Sequence, residues 1–285
     1  PMLPQGAVAK KAVTTDKGDQ VYVAAESGAI YRFDTRDFGK PMLAETAELL
    51  PPGAKLTVFG FLLGEQSLVI GGSDGTVDIY FRLERANAGT TDGFKLVRAH
   101  RMEPHRGAVV AFSASQRGKL FVTADAGGEI WLRHSTSEQT MLKLTKTAGA
   151  ESYRAVLLSP REDGVLAIDG RGKASFWEIA VPHPETTLGT IFGKTWYEGY
   201  DSPTYTWQSS AGTDSFEPKL SLVPLIFGTI KATFYALLFA VPVALLAAIY
   251  TAEFVHPSVR ATVKPIMEMM ASLPSVVLGF IAALI

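Results

Sequence analysis

The chain has 285 residues, a formal net charge of −1, 19% charged residues and no cysteine. That balance leaves no basic field for nucleic acid. The missing cysteine excludes a disulfide framework and a thiolate nucleophile, and leaves five His as the soft metal ligands.

The first residues, PMLPQGAVAKKAV, lack the long apolar run of a secretory signal. Residues 1–181 then carry a repeat: an apolar strand, a Gly-containing turn, and a second strand with an aromatic residue. The four copies are VYVAAESGAIYRFD, SLVIGGSDGTVDIYF, LFVTADAGGEIWLRH and VLAIDGRGKASFWEI, with turn glycines Gly28, Gly75, Gly128 and Gly172 spaced 47, 53 and 44 apart. Val, Ile, Phe, Tyr and Trp dominate and Gly, Asp and Ser fill the turns, so each copy reads as a β-hairpin. In SDGTV and AGGEI a two-residue Asp-Gly or Gly-Gly turn is expected. A further strand precedes three of the hairpins, in KLTVFGFLL, GAVVAFSAS and YRAVLLSP. The unit therefore has at least three strands, with room for a fourth.

A repeat of ~40–45 residues with four strands is the pattern of a propeller blade. The third copy resembles WD-repeat propellers most closely. His105, Ser113, Asp125 and Trp131 stand where that family places a hydrogen-bonded set that braces the blade, and the resemblance implies that structural role for them. Propellers typically have 4–8 blades, so the four units are read as part of a larger propeller, and Pro1 as a truncated start rather than a natural one.

Residues 182–219 read as a linker rich in Pro, Gly, Ser, Thr and aromatics. Trp196, Tyr197, Tyr200, Tyr205 and Trp207 cluster there, either as an interfacial belt before a membrane segment or as a loop packed on its own aromatics. The run from Gly189 to Thr195, GTIFGKT, resembles a phosphate-binding loop, but that motif needs four residues between its glycines and this run has three. ATP binding by this chain is not expected.

Residues 220–285 have a different composition. Between Lys231 and Glu253 lie 21 consecutive uncharged residues, and 17 more follow Glu268. A bilayer core of about 30 Å needs roughly 20 apolar helical residues, so the first run is long enough to span. Its helix is expected from near Lys219 to about Glu253, kinked at Pro242. Gly228, Ala232 and Ala236 lie four apart on one face, a spacing that lets another helix approach closely. HPSVRATVKPIMEMM is expected to be a connection broken by Pro257 and Pro265. A second helix begins in ASLPSVVLGFIAALI, with Pro274 near its start. Arg260 and Lys264 favour a cytoplasmic loop, while Lys219 and Lys231 on the other flank leave the orientation open on charge alone. A chain that ends inside such a helix reads as a fragment.

Here a second resemblance is specific. Gly228, Thr229, Pro242, Tyr250, Glu253, Lys264, Pro265, Glu268, Pro274, Ser275 and Gly279 match the opening of the permease core of bacterial phosphate-import ABC transporters of the PstC type. YDSPTYTWQSS and FEPKLSLVPL resemble the long proteobacterial form, which carries an extra domain before this core. The likeness covers residues 218–285 and the linker, and implies a multi-pass protein of the bacterial inner membrane with the propeller in the periplasm. Its partners would be a second permease subunit, cytoplasmic ATPase subunits, a periplasmic phosphate-binding protein and membrane lipid. No cofactor, metal or catalytic residue is implied, and ATP hydrolysis belongs to a separate subunit.

Within that reading Lys231, Pro274 and Ser275 are the candidates for the substrate pathway. Lys231 either snorkels to the interface or offers a cation to an anionic substrate inside the bundle. Pro274 and Ser275 either start an ordinary helix or shape a broken one. Glu253, Arg260, Lys264 and Glu268 belong to the cytoplasmic loop, the acids expected to cap helices or to pair with Lys264 or Arg260. The fold class is thus multidomain: an all-β, WD-repeat-like propeller at 1–181, a linker at 182–219, and the start of a helical ABC permease domain at 220–285. The alternative is a membrane-anchored propeller acting as a sensor or scaffold. A kinked helix, a small-residue face and a second span favour transport, because an anchor needs none of them.

Overall fold

The computed structural model describes residues 3–146, 148–149, 152–210, 212 and 217–284. The chain divides into two compact units, Pro1–Pro224 and Leu225–Ile285.

The first unit is built from successive antiparallel sheets. Blade one holds β1 (Ala9–Thr14), β2 (Gln20–Ala25), β3 (Ala29–Asp34) and β4 (Met42–Glu48). Blade two holds β5 (Leu56–Phe61), β6 (Ser67–Gly72), β7 (Val77–Glu84) and β8 (Phe94–Arg101). Blade three holds β9 (Val109–Ala114), β10 (Leu120–Asp125), β11 (Ile130–His134) and β12 (Gln139–Leu144). Blade four holds β13 (Tyr153–Leu158), β14 (Gly164–Asp169) and β15 (Ala174–Glu178). In each blade strands adjacent in sequence are adjacent in space. These sheets are propeller blades, and the hairpins read from the sequence are β2–β3, β6–β7, β10–β11 and β14–β15.

Burial explains the composition. β3, β6 and β10 are buried at every residue: neighbouring blades cover β6 and β10, and blade two together with the N-terminal residues Leu3 and Ala7 covers blade one. The outer strands β4, β8 and β12 alternate or lie half open. Three apolar clusters join consecutive blades. Tyr22, Ile30, Phe59, Ile70 and Tyr80 join blades one and two. Val69, Ile79, Val109 and Phe121 join two and three. Val122, Leu132, Tyr153 and Val165 join three and four. Each fully buried side chain of this size contributes roughly 1.5–3 kcal/mol.

The blades repeat their irregularities too. The pairing of the first two strands slips by one residue at Ala9/Lys11, Leu56/Val58, Ala124/Asp125 and Tyr153/Ala155. A bulge sharpens local twist, and here it recurs at one end of every blade.

The hairpin turns differ from the two-residue turns expected. In blade two the Gly72 N–H donates to Thr76 O and the Gly75 N–H to Gly72 O, so the loop is Ser73-Asp74-Gly75. Blade three repeats this with Asp125, Glu129 and Gly128. A two-residue type I′ turn needs positive φ at both central residues. In these two loops only Gly75 (86°) and Gly128 (88°) supply it, and Gly28 (92°) and Gly172 (82°) match them in the other blades. A Cβ on Gly75 would also lie 2.1 Å from His105 O, whereas one on Gly172 meets nothing within 4 Å. Gly172→Ala is therefore expected to cost only the left-handed penalty of about 1–2 kcal/mol, and Gly75→Ala clearly more. Comparing the two melting temperatures checks this, and equal losses would refute it.

The described residues of the linker pack on the blades, Trp196 against the cluster that joins blades two and three. A short helix, α1 (Leu188–Phe192), is capped by Thr187 and Thr190 in a reciprocal pair. β16 (Trp207–Gln208) pairs with β17 (Lys219–Leu220). Lys219, expected to begin the first long helix, lies in that strand instead. The helix α2 starts at Val223 and runs to Glu253, because Pro224 fits a first turn, where no N–H is needed. GTIFGKT forms the body and end of α1, not a loop before a helix, so its likeness to a phosphate loop ends with its residues.

The second unit is helical. Apart from Lys231 and its last residue Glu253, α2 carries no charge, with Pro242 inside it, and its 31 residues rise about 46 Å at ~1.5 Å each. α3 (Pro257–Ser272) occupies the stretch expected to be a broken connection. His256 caps it, Pro257 sits where a missing donor costs nothing, and Pro265 removes only one internal bond. After Leu273 and Pro274 comes α4 (Ser275–Leu284), bent 95° from α3.

Candidate functional site

Around His105 in blade three lies a hydrogen-bonded set whose members differ from those expected. His105 Nε2 meets Thr123 Oγ1 at 2.8 Å, and Arg133 Nε donates to the same hydroxyl at 3.1 Å. Arg133 also donates to Glu103 O. His105 Nδ1 faces Asp125 Oδ2 at 3.6 Å, and its ring lies on Trp131 with centroids 4.3 Å apart. Burial, then the Arg133 charge, pulls His105 down to about 4, so it is neutral at neutral pH. Burial holds Arg133 at about 10, still protonated.

Ser113 is not part of this set. Its hydroxyl accepts from the Leu158 N–H in blade four, because it lies on β9, one strand away from the position that faces the histidine. Thr123 on β10 takes the place assigned to it. Trp131 joins by ring contact and donates its Nε1–H to Glu129 instead. A hydroxyl inside the apolar run LFVTAD gave no signal, but its place opposite Trp131 in the β10–β11 register marks it. Ligand atoms of His105, Asp125 and Glu129 lie within 4.8 Å of one another. Asp125 accepts from the Glu129 N–H and Glu129 from Trp131, and the positive charges of Arg133 and Lys143 act on His105. The cluster therefore has the character of a brace.

The linker aromatics differ in burial. Trp196 packs on Phe81 and donates to Tyr200 O, and Tyr197 is buried. Tyr205 and Trp207 are exposed. Charged groups complete the seat. Lys119 Nζ reaches Leu63 O at 2.5 Å and Glu198 Oε2 at 2.6 Å, and Glu198 also takes the Ser67 hydroxyl. None of these contacts was legible in the sequence, because each joins residues far apart in the chain.

In the helical unit Gly228, Ala232 and Ala236 share one face of a continuous α2, beside Lys231. The Thr229 and Thr251 hydroxyls donate back to Leu225 O and Ala247 O, which leaves neither bare on an apolar helix. Arg260 donates to Thr251 O and Ala252 O, closing carbonyls that the end of α2 leaves open. Among the described residues, neither Glu253 nor Glu268 pairs with Arg260 or Lys264, the second of the two roles expected of these acids: Arg260 is turned onto the helix end. Glu253 ends α2, and Arg260, Lys264 and Glu268 lie on α3. Pro274 and Ser275 sit at the α3–α4 break, where the Val277 N–H donates to Pro274 O. No hydrogen bond or ion pair joins Lys231 to them among the described residues.

No family model matches the chain. A stretch of 69 residues, 24% of the chain, is 36% identical to the probable ABC transporter permease protein YqgH of Bacillus subtilis (strain 168). That stretch spans 22% of the relative's length. The β-propeller domain of Cps50 (Swd1) from Myceliophteria thermophila superposes with a TM-score of 0.51 at 13% identity, covering 61% of this chain and 52% of that one. The first unit thus has a propeller-like fold. α2 is long and apolar enough to cross a membrane, and the bent pair α3–α4 meets the same measure when taken as one span.

Proposed function

We propose that the chain is part of the permease subunit of an ATP-driven importer for inorganic phosphate. The observation that carries this is the 36% identity over 69 residues to a probable ABC transporter permease. The motifs in residues 218–285 support the choice of phosphate. The geometry fits: a spanning helix with a small-residue face, then two helices meeting at a 95° break, the discontinuous form that transporters use at their binding sites. Lys231, Pro274 and Ser275 are the residues assigned to the ion's path.

In this reading the subunit pairs with a second permease, cytoplasmic ATPases and a periplasmic phosphate-binding protein. The propeller is an accessory periplasmic domain that docks a protein. The chain's own work is conformational: its helices alternate access while ATP is hydrolysed elsewhere. The test is uptake of labelled phosphate under phosphate limitation, in cells lacking the gene. Uptake is expected to fall, and to return with the full-length gene. Undiminished uptake would overturn the importer reading in favour of a membrane-anchored scaffold. Rescue by a gene lacking the blades would make the propeller an accessory.

A further inference from the structure

Residues 217–222 lead directly into α2 and are seated on the first unit by short-range contacts, with Ser221 fully buried and its hydroxyl donating to Ile191 O. β16 and β17 pair over two residues each. Beyond that ladder the Ser221 N–H donates to Thr206 O and the Leu222 N–H to Ile191 O. At the start of this segment Glu217 turns into the first unit. Its side chain is 10% exposed and, among the described residues, its Oε1 has no hydrogen-bond partner. It lines a cavity of about 210 Å³ with Arg117, Lys119, His134, Glu162 and Glu185.

Among the described residues, the cations around it have other partners as well. His134 Nε2 stands 3.9 Å away, beyond hydrogen-bond reach, and its Nδ1 is engaged by Ser137. Lys119 is committed to Leu63 O and Glu198. Lys219 reaches Gln208 Oε1 at 2.9 Å and lies over the rings of Tyr197 and Tyr200. Thr136 offers a hydroxyl, and Glu198 adds a like charge. A carboxylate here keeps part of its desolvation cost unrepaid, whereas a carboxylic acid does not.

We propose that Glu217 is a proton-operated latch: neutral, it lets residues 217–222 seat on the blades, and ionised, it loosens the segment that leads into α2. Burial, opposed by Thr136 and Lys119, pushes Glu217 up to about 7. Burial, then His100 and Lys119, holds His134 down at about 4, so it supplies no countercharge in this range. Because the seated form binds the proton more tightly, the contribution is fully present below the usual carboxyl value near 4.5. It is lost as pH rises from there through about 7. The inference does not depend on the transport reading.

The test is hydrogen exchange across 217–222 in the 285-residue chain in detergent micelles, corrected for the intrinsic pH dependence of exchange. Protection in the wild type is expected to fall at least about tenfold between roughly pH 5 and 7.5, then level off. Glu217→Gln is expected to hold its low-pH protection throughout, and Glu185→Gln to keep the wild-type profile. A flat wild-type profile, or a Glu217→Gln profile that follows the wild type, overturns the proposal. If Glu217→Gln does not fold, the ¹³C shift of the wild-type Glu217 carboxyl decides. A midpoint near 7 supports the latch, and one in the ordinary carboxylate range refutes it.

Discussion

Arg32→Ala is expected to cost about 3–5 kcal/mol of folding free energy, the loss seen when one partner of a buried ion pair is removed. The Arg32 side chain is fully buried and fastens blade one to blade two. Its Nε donates to Glu45 at 3.1 Å. Its Nη1 and Nη2 hold Asp92 bidentately at 2.5 and 2.9 Å, and also reach Gln20 Oε1 and Phe94 O. All five guanidinium N–H groups are thereby used. Alanine would leave two carboxylates buried, with Glu45 still holding the Leu96 N–H. Arg32→Lys keeps the charge but not the fork, and should fall between. Burial raises Asp92, but the bond from Arg32 and the Phe94 N–H outweigh it and hold the carboxyl below its ordinary value. Its contribution is therefore present above the usual carboxylate range and lost as pH falls through the lowered value. Denaturant midpoints followed by tryptophan fluorescence measure the effect, and a loss under about 1 kcal/mol, the size of a surface pair, would refute it.

Val241→Arg is expected to block insertion of α2. The position lies beside Pro242, near the middle of the 21 uncharged residues. A charge at the centre of a spanning helix costs ~2.5–3.5 kcal/mol on insertion scales, which is on the order of 100-fold in the equilibrium. Arginine at Ala232, beside Lys231, can reach the interface along its stem and should cost far less. Resistance to alkaline extraction separates the two variants, and equal resistance would mean that α2 does not span.

The blade hairpins could be read from the sequence because their central strands are buried on both faces, so nearly every residue is apolar. The outer strands could not: FKLVRAHR and QTMLKL are half exposed and carry charges that dilute the pattern. Ser113 enters the expected brace through the WD-repeat resemblance, yet the three-dimensional register brings Thr123 to the histidine. Pro257 and Pro265 read as breaks, but one occupies a first turn and the other removes a single bond, so α3 persists. Arg32, Asp92 and Glu45 are unremarkable in the sequence, because only the packing of two sheets makes them neighbours.

The order of the blades governs how the first unit comes apart. The main contacts between blades run from β1 to β5, from β5 to β9 and from β9 to β13, so each blade is steadied mostly by the ones before and after it. In such an array stability is close to a sum of blade and interface contributions, so loosening of one blade passes first to those beside it. The amides of β6 and β10, buried at every residue, are the last to meet solvent.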